Sequence, residues 1–97
     1  MRGHAAANIM PVVASNRIGH EVAPGGRDLT FYGSSFIADP SGAVVDKASR
    51  QDEEVLVHRF DLEAIAELRS AWGVFRDRRP STYGALAGLD GGGNRWI

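Results

Sequence analysis

Groups able to do covalent chemistry are few in this chain and poorly spaced for it. Cysteine is absent, so there is no thiolate nucleophile, no thiolate metal ligand and no disulfide. His4, His20 and His58 are too scattered for a metal-ligand spacing, so no metal site is expected and no chemistry is assigned to them. Two other places carry polar groups where chemistry is usually held. Asn16 and Arg17 end an apolar run, the kind of position where strands hand over to ligand-binding loops; for Arg17 the favoured reading is a structural ion-pair partner or a binder of backbone carbonyls. Arg76, Asp77, Arg78 and Arg79 form a dense charged run, either a solvated turn with ion pairs of small value or a contact surface.

The elements that must position these groups can be read in chain order. Arg2–Asn8 is rich in alanine and predicts the last turn or two of a helix, too short to persist alone in water. Ile9–Ala14 is almost unbroken apolar sequence and predicts a strand over residues 9–16, buried on both faces. Pro11 lacks a backbone donor and belongs at the start of that strand. Residues 18–28 ("IGHEVAPGGRD") have no periodicity and read as a loop. "LTFYGSSFIADPSGAVVDKAS" predicts two strands joined by a turn, with Asp39-Pro40-Ser41-Gly42 in the order a type I turn favours. Gly33 marks a bulge or a close backbone approach.

"EEVLVHRFD" predicts a further strand. Asp61 is then an N-cap with Glu63 in the first turn. A helix over Leu62–Trp72 places Ile65, Leu68 and Trp72 on one face, and Gly73 can end it. The chain should be irregular after Pro80, with a flexible glycine-rich tail over residues 90–97.

At 97 residues the chain suits one domain, and such a domain buries roughly 65% of its unfolded surface. Antiparallel strands with one layer of helix make an α+β architecture. The sheet face away from the helix has no visible cover, so a partner is expected. The formal charge of −1 leaves no electrostatic footprint for nucleic acid or an anionic membrane. No apolar run approaches the ~20 residues of a membrane span and no signal peptide is evident, so a cytoplasmic location is the default.

Four stretches in order, "GHAAANIMPVVASNRIG", "TFYGSSFIADPSG", "EEVLVHRFDLEAIAELR" and "WGVFRDRRPSTYGAL", resemble the C-terminal part of the carbon–nitrogen hydrolases, the nitrilase superfamily. The resemblance covers residues 1–89. It implies that this chain is part of a four-layer α-β-β-α sandwich, incomplete here, with Met1 at a position internal to the family domain. It also implies a Glu, Lys and Cys triad whose Cys attacks a carbamoyl or amide carbon, with no cofactor. That chemistry needs a thiolate nucleophile, a general base and a cation for the oxyanion. In the family all three lie upstream of the segment resembled here, so no residue of this chain is expected to be catalytic and the chain alone is expected to be inactive.

The resemblance further implies a small N-carbamoyl amine as substrate of the complete enzyme, and a homo-oligomer. It places Asn8 near the pocket, where its amide could hydrogen-bond a carbamoyl group; the alternative is a helix-end residue satisfying local backbone. Phe31 and Tyr32 become candidates for the pocket mouth, against the alternative of core aromatics, and Asn16 joins them. Glu21 and Asp28 are the acids available to a substrate ammonium. Arg76, Arg78 and Arg79 become candidate subunit contacts. A different reading is a free-standing half-sandwich that pairs with itself or with a complementing fragment.

Overall fold

Caps and turns decide where the elements start and stop. The structure, a computed structural model, describes residues 1–88; the tail expected over 90–97 lies outside the described residues. Helix α1, Arg2–Asn8, ends at Ile9, which sits in the left-handed region at φ 47°, ψ 57°. The Met10 N–H closes the end by donating to the Ala5 carbonyl at 3.1 Å. A β-branched residue is costly in this conformation. Ile9 holds it because its side chain is buried and its carbonyl accepts from Arg69 Nη2 at 2.9 Å.

Pro11 then precedes β1, Val12–Ala14, as a residue without a donor should. The strand is shorter than the expected 9–16, and Val13 is 68% exposed. The expectation of burial on both faces fails because the described residues supply no second layer over that side of the strand.

Residues 18–28 are not a loop. Strands β2, Ile18–Ala23, and β3, Arg27–Tyr32, pair antiparallel from Ile18↔Tyr32 to Ala23↔Arg27. Gly25 and Gly26, at φ 94° and 78°, supply the turn. Most residues of both strands are exposed. With neither face in a core, no apolar–polar alternation was required, and the sequence shows none.

After the hairpin, β4, Phe36–Ala38, and β5, Val44–Lys47, join β1 in an antiparallel sheet of order β1-β4-β5. Ala14 faces Phe36 and Val12 faces Ala38. The turn between β4 and β5 is the expected one. Gly42 N–H donates to the Asp39 carbonyl at 2.9 Å, while Asp39 Oδ1 accepts from the Ser41 hydroxyl at 2.6 Å and from the Ser41 and Ala43 amides. These donors hold the Asp39 carboxyl below its ordinary pKa, the Ser41 hydroxyl most of all and against a smaller opposing effect of burial. Arg2 Nε donates to the Gly42 carbonyl at 2.7 Å, fastening the start of α1 to this turn.

Helix α2, Leu62–Trp72, begins and ends as the sequence specifies. Asp61 accepts from the Glu63 and Ala64 amides, and Gly73 takes φ 64° at the other end. Of the three residues expected on its buried face only Ile65 is buried; Leu68 is 41% and Trp72 69% exposed. Residues 53–61, expected as a strand, form no ladder, because no strand among the described residues pairs with them. Beyond Pro80, two single 3₁₀ turns, Pro80–Thr82 and Gly84–Ala87, replace the irregular chain expected there.

The resulting α+β slab has Cα extents of 55 × 42 × 14 Å and a radius of gyration of 19.9 Å, against about 12.5 Å for a compact domain of this length. The buried hydrophobic residues are Ala5, Ile9, Ile37, Ala38 and Ile65. The accessible surface is 8083 Å², whereas a compact monomer of this mass exposes about 5,400 Å². Much of what a finished domain would bury is therefore in solvent.

Candidate functional site

The chain crosses itself at Gly33, and most of the site candidates gather there. A Cβ at this glycine would lie 2.6 Å from Ile18 Cγ2, 2.9 Å from the Ser49 carbonyl and 3.1 Å from Arg50 Cα, and its φ is 55°. No other residue type meets both conditions without strain. Gly33 N–H donates to the Arg17 carbonyl at 2.9 Å, and Ser34 N–H to the Ser49 carbonyl at 3.1 Å. The end of β1, the base of the hairpin and the chain after β5 are thereby held together.

Asn16 is built into this crossing. Its Nδ2 donates to the Gly33 carbonyl at 2.8 Å, its Oδ1 accepts from Arg17 N–H at 2.9 Å, and its own N–H donates to Ser35 Oγ at 2.8 Å. A cleft of about 190 Å³ opens here, lined by Asn16, Ile18, Ser35, Ser49, Glu53 and Glu54. Glu54 Oε1 accepts from Ser49 N–H at 2.8 Å, which closes the cleft's acidic side. Glu53 and Glu54, expected only as the start of a strand, carried no site role in the sequence; the acidic pair just ahead of an apolar run was the available signal.

Phe31 and Tyr32 close β3 beside this crossing. Arg17 lies over the Phe31 ring, 4.1 Å from its centroid, and pairs with Glu21 at 2.8 Å. Tyr32 is 63% exposed. Asp28, across the hairpin from Glu21's neighbour Val22, approaches His20 at 4.0 Å.

The structure therefore groups Asn16, Phe31 and Tyr32 at the hairpin base. Asn8 lies apart from them, at the end of α1. Its Nδ2 donates to the His4 carbonyl at 2.9 Å, and its own carbonyl accepts from Arg69 Nε at 3.4 Å. No described hydrogen bond or ring contact joins it to the other three. Arg69, reaching both Asn8 and Ile9 across 60 residues of sequence, is another group the sequence did not reveal, since the contact is purely tertiary.

The arginine run folds back on its own backbone. Arg76 pairs with Asp77 at 2.8 Å and donates to the Ser70 carbonyl, and Arg78 Nε donates to the Phe75 carbonyl. Arg79 N–H donates to the Tyr83 hydroxyl. The hydrogen bond from Arg76 holds the Asp77 carboxyl below its ordinary pKa. Among the described residues no three His, Asp or Glu side chains gather as metal ligands, and no helix is long and apolar enough to cross a membrane.

The sheet, its helices and the asparagine-bound crossing form an α+β slab with much apolar side-chain surface in solvent. The carbon–nitrogen hydrolase family model matches residues 1–70, and the chain belongs to that family, within the nitrilase superfamily. Among individual relatives, N-carbamoylputrescine amidase of Arabidopsis thaliana is 53% identical over 94 residues, which is 94% of this chain and 31% of that protein. Citrullinase of Francisella tularensis is 47% identical over 83 residues, 86% of this chain and 29% of that protein. The crystal structure of a carbon-nitrogen hydrolase from Helicobacter pylori G27 superposes with a TM-score of 0.78 at 42% identity, covering 91% of this chain and 31% of that one. The chain thus spans about a third of the length of the relatives it matches.

Proposed function

We propose that this chain is the C-terminal portion of an amidohydrolase of the N-carbamoylputrescine amidase kind. The complete enzyme would convert N-carbamoylputrescine and water to putrescine, carbon dioxide and ammonia, a step of polyamine biosynthesis. The observation that carries this reading is 53% identity to the plant amidases across 94% of the chain. In the family resemblance, Cys attacks the carbamoyl carbon, Glu moves its proton and Lys steadies the oxyanion. All three belong to polypeptide outside these 97 residues, which contain no cysteine.

The role left to this chain is to shape the pocket. Both amide atoms of Asn16 are already committed to backbone, so it would fix the pocket wall rather than bind the carbamoyl group. Tyr32 is exposed beside it and free to face a ligand; Phe31, under Arg17, and Asn8 complete the candidates. Of the two acids suggested for a substrate ammonium, Glu21 is taken by Arg17, which leaves Asp28 the more available. Arg76, Arg78 and Arg79 are the proposed contacts between copies in a homo-oligomer, and the cytoplasm its location.

The relative named citrullinase supports a second substrate, also a carbamoylated amine but ending in an amino acid. The test is ammonia release from N-carbamoylputrescine and from citrulline. The enzyme assayed would be a single chain in which these 97 residues replace the matching third of the Arabidopsis relative. The 97-residue chain alone should release nothing above blank, and the fusion should prefer N-carbamoylputrescine. A fusion that is folded but inactive on both would overturn the reading.

A further inference from the structure

A groove of about 350 Å³ lies where the end of α1, the β4–β5 turn and the end of α2 meet, lined by Ala6, Ile9, Pro40, Leu68, Trp72 and Val74. Its walls are apolar, yet Leu68 and Trp72 stand largely in solvent. On its rim, Glu67 precedes Leu68 and has no hydrogen-bond or ion-pair partner among the described residues. The groove therefore offers apolar contact beside one unpaired acid.

The chain itself carries a segment with the matching chemistry. Nine residues, 89–97, follow the described ones. Gly91–Gly93 impose no preference on the backbone, and after Asn94 come a cation, Arg95, and two large apolar residues, Trp96 and Ile97. The reach is sufficient. Between Val74, on the groove, and Gly88 the chain is drawn into turns closed by hydrogen bonds from Asp77 N–H to the Gly73 carbonyl, Thr82 to Arg79, Tyr83 to Pro80 and Leu86 to Tyr83. Fourteen residues rising about 2 Å each in such turns cover roughly 30 Å, which nine extended residues can retrace.

We propose that the groove seats the chain's own residues 94–97, with Trp96 and Ile97 against Leu68, Trp72 and Val74, and Arg95 toward Glu67. The remainder of the four-layer sandwich that the family resemblance implies packs on the bare face of the sheet, not on the helices, and so leaves the groove open. A second copy competes at its solution concentration, whereas a short tether supplies its segment at an effective concentration in the mM range. An intrinsic affinity of only about 0.1 mM then fills about nine-tenths of the grooves. Burial of an indole contributes more area than any other side chain in residues 89–97. The proposal does not depend on the amidase reading.

Trp72 and Trp96 are the two tryptophans of the chain, so Trp72→Phe keeps an aromatic wall and leaves Trp96 the sole reporter. In the 97-residue chain its emission should be blue-shifted, and its quenching by acrylamide about tenfold slower, relative to a free Asn-Arg-Trp-Ile peptide. Leu68→Asp should return both to the peptide's values. Deleting residues 94–97 from the otherwise unchanged chain leaves Trp72 as reporter, and its quenching should be faster than in Trp96→Ala, where Ile97 still covers the groove. Trp96 quenched like the free peptide, or protection that survives Leu68→Asp, would overturn the proposal. Protection lost on dilution would also overturn it, by showing that the tail seats on a second copy. If Leu68→Asp alters the circular dichroism of the parent, the deletion decides, and Trp72 indifferent to it refutes the seat.

Discussion

Replacing Gly33 by alanine tests whether the crossing that assembles the site is as tight as it is drawn. Two costs add. A non-glycine residue at φ 55° loses about 1 kcal/mol of backbone energy. The new methyl would also sit 2.6 Å from Ile18 Cγ2 and 2.9 Å from the Ser49 carbonyl. One of these is backbone and cannot swing aside, and overpacking of this kind costs about 1–3 kcal/mol. The sum, about 2–4 kcal/mol, corresponds to a roughly 30- to 800-fold change in a local opening equilibrium. Gly19 is the control: it too has a positive φ, 101°, but nothing lies within 4 Å of its Cβ position, so Gly19→Ala carries the backbone cost alone. The assay is amide hydrogen exchange at Ser34, whose N–H is paired with Ser49. It reports local opening whether or not the whole chain unfolds in one step. Equal loss of protection at Ser34 in the two variants would refute the steric argument and with it the rigidity claimed for the crossing.

Three further outcomes follow from contacts described above. Arg69→Ala removes charged donors from the carbonyls of Ile9 and Asn8; it should cost about 1.5–2 kcal/mol, seen as faster exchange at Met10, while Arg69→Lys should recover only part of it. Asp39 has a folded-state pKa below its ordinary 3.8, so its contribution is present above about pH 4 and is lost as pH falls through the lower folded value. Asp39→Asn keeps an acceptor for Ser41 and Ala43 but should abolish that acid-side loss in amide exchange at Ala43, and an unchanged profile would count against the assignment. Reversing Arg78 and Arg79 to Glu in the single-chain fusion should shift its light-scattering mass toward the monomer, and an unaltered mass would remove these residues from the proposed subunit contact.

What the sequence revealed and what it hid divide along a physical line. Helix α2 was legible because Asp61 and Gly73 act within a turn or two of their own positions, and the β4–β5 turn because Asp39 satisfies its own next residues. The β2–β3 hairpin escaped notice because neither face enters a core, so its strands carry charges on both sides. The β1 expectation of full burial assumed a second layer that residues 1–88 do not contain. At the site, Asn16 was marked by its place after an apolar run, yet its partners Gly33 and Ser35 lie 17 and 19 residues away. Nothing local announces that crossing except the glycine itself.

The hairpin also bears on the order in which the chain can assemble. β1 and β4 are neighbours in the sheet but are separated by the whole of β2 and β3. Pairing them from an open chain means closing a loop of roughly twenty residues. If the glycine turn zips first, on the 1–10 μs scale of hairpins, only a few flexible residues on either side still have to be gathered. Residues 15–17 and 33–35 then remain to be gathered in place of all of 15–35, so the closure cost falls by about 1.1 kcal/mol, roughly a sixfold gain in the rate at which Ala14 finds Phe36. An arm that adds almost nothing to the core can in this way act as a kinetic clasp, and lengthening its tip would slow sheet formation before it weakened the finished sheet.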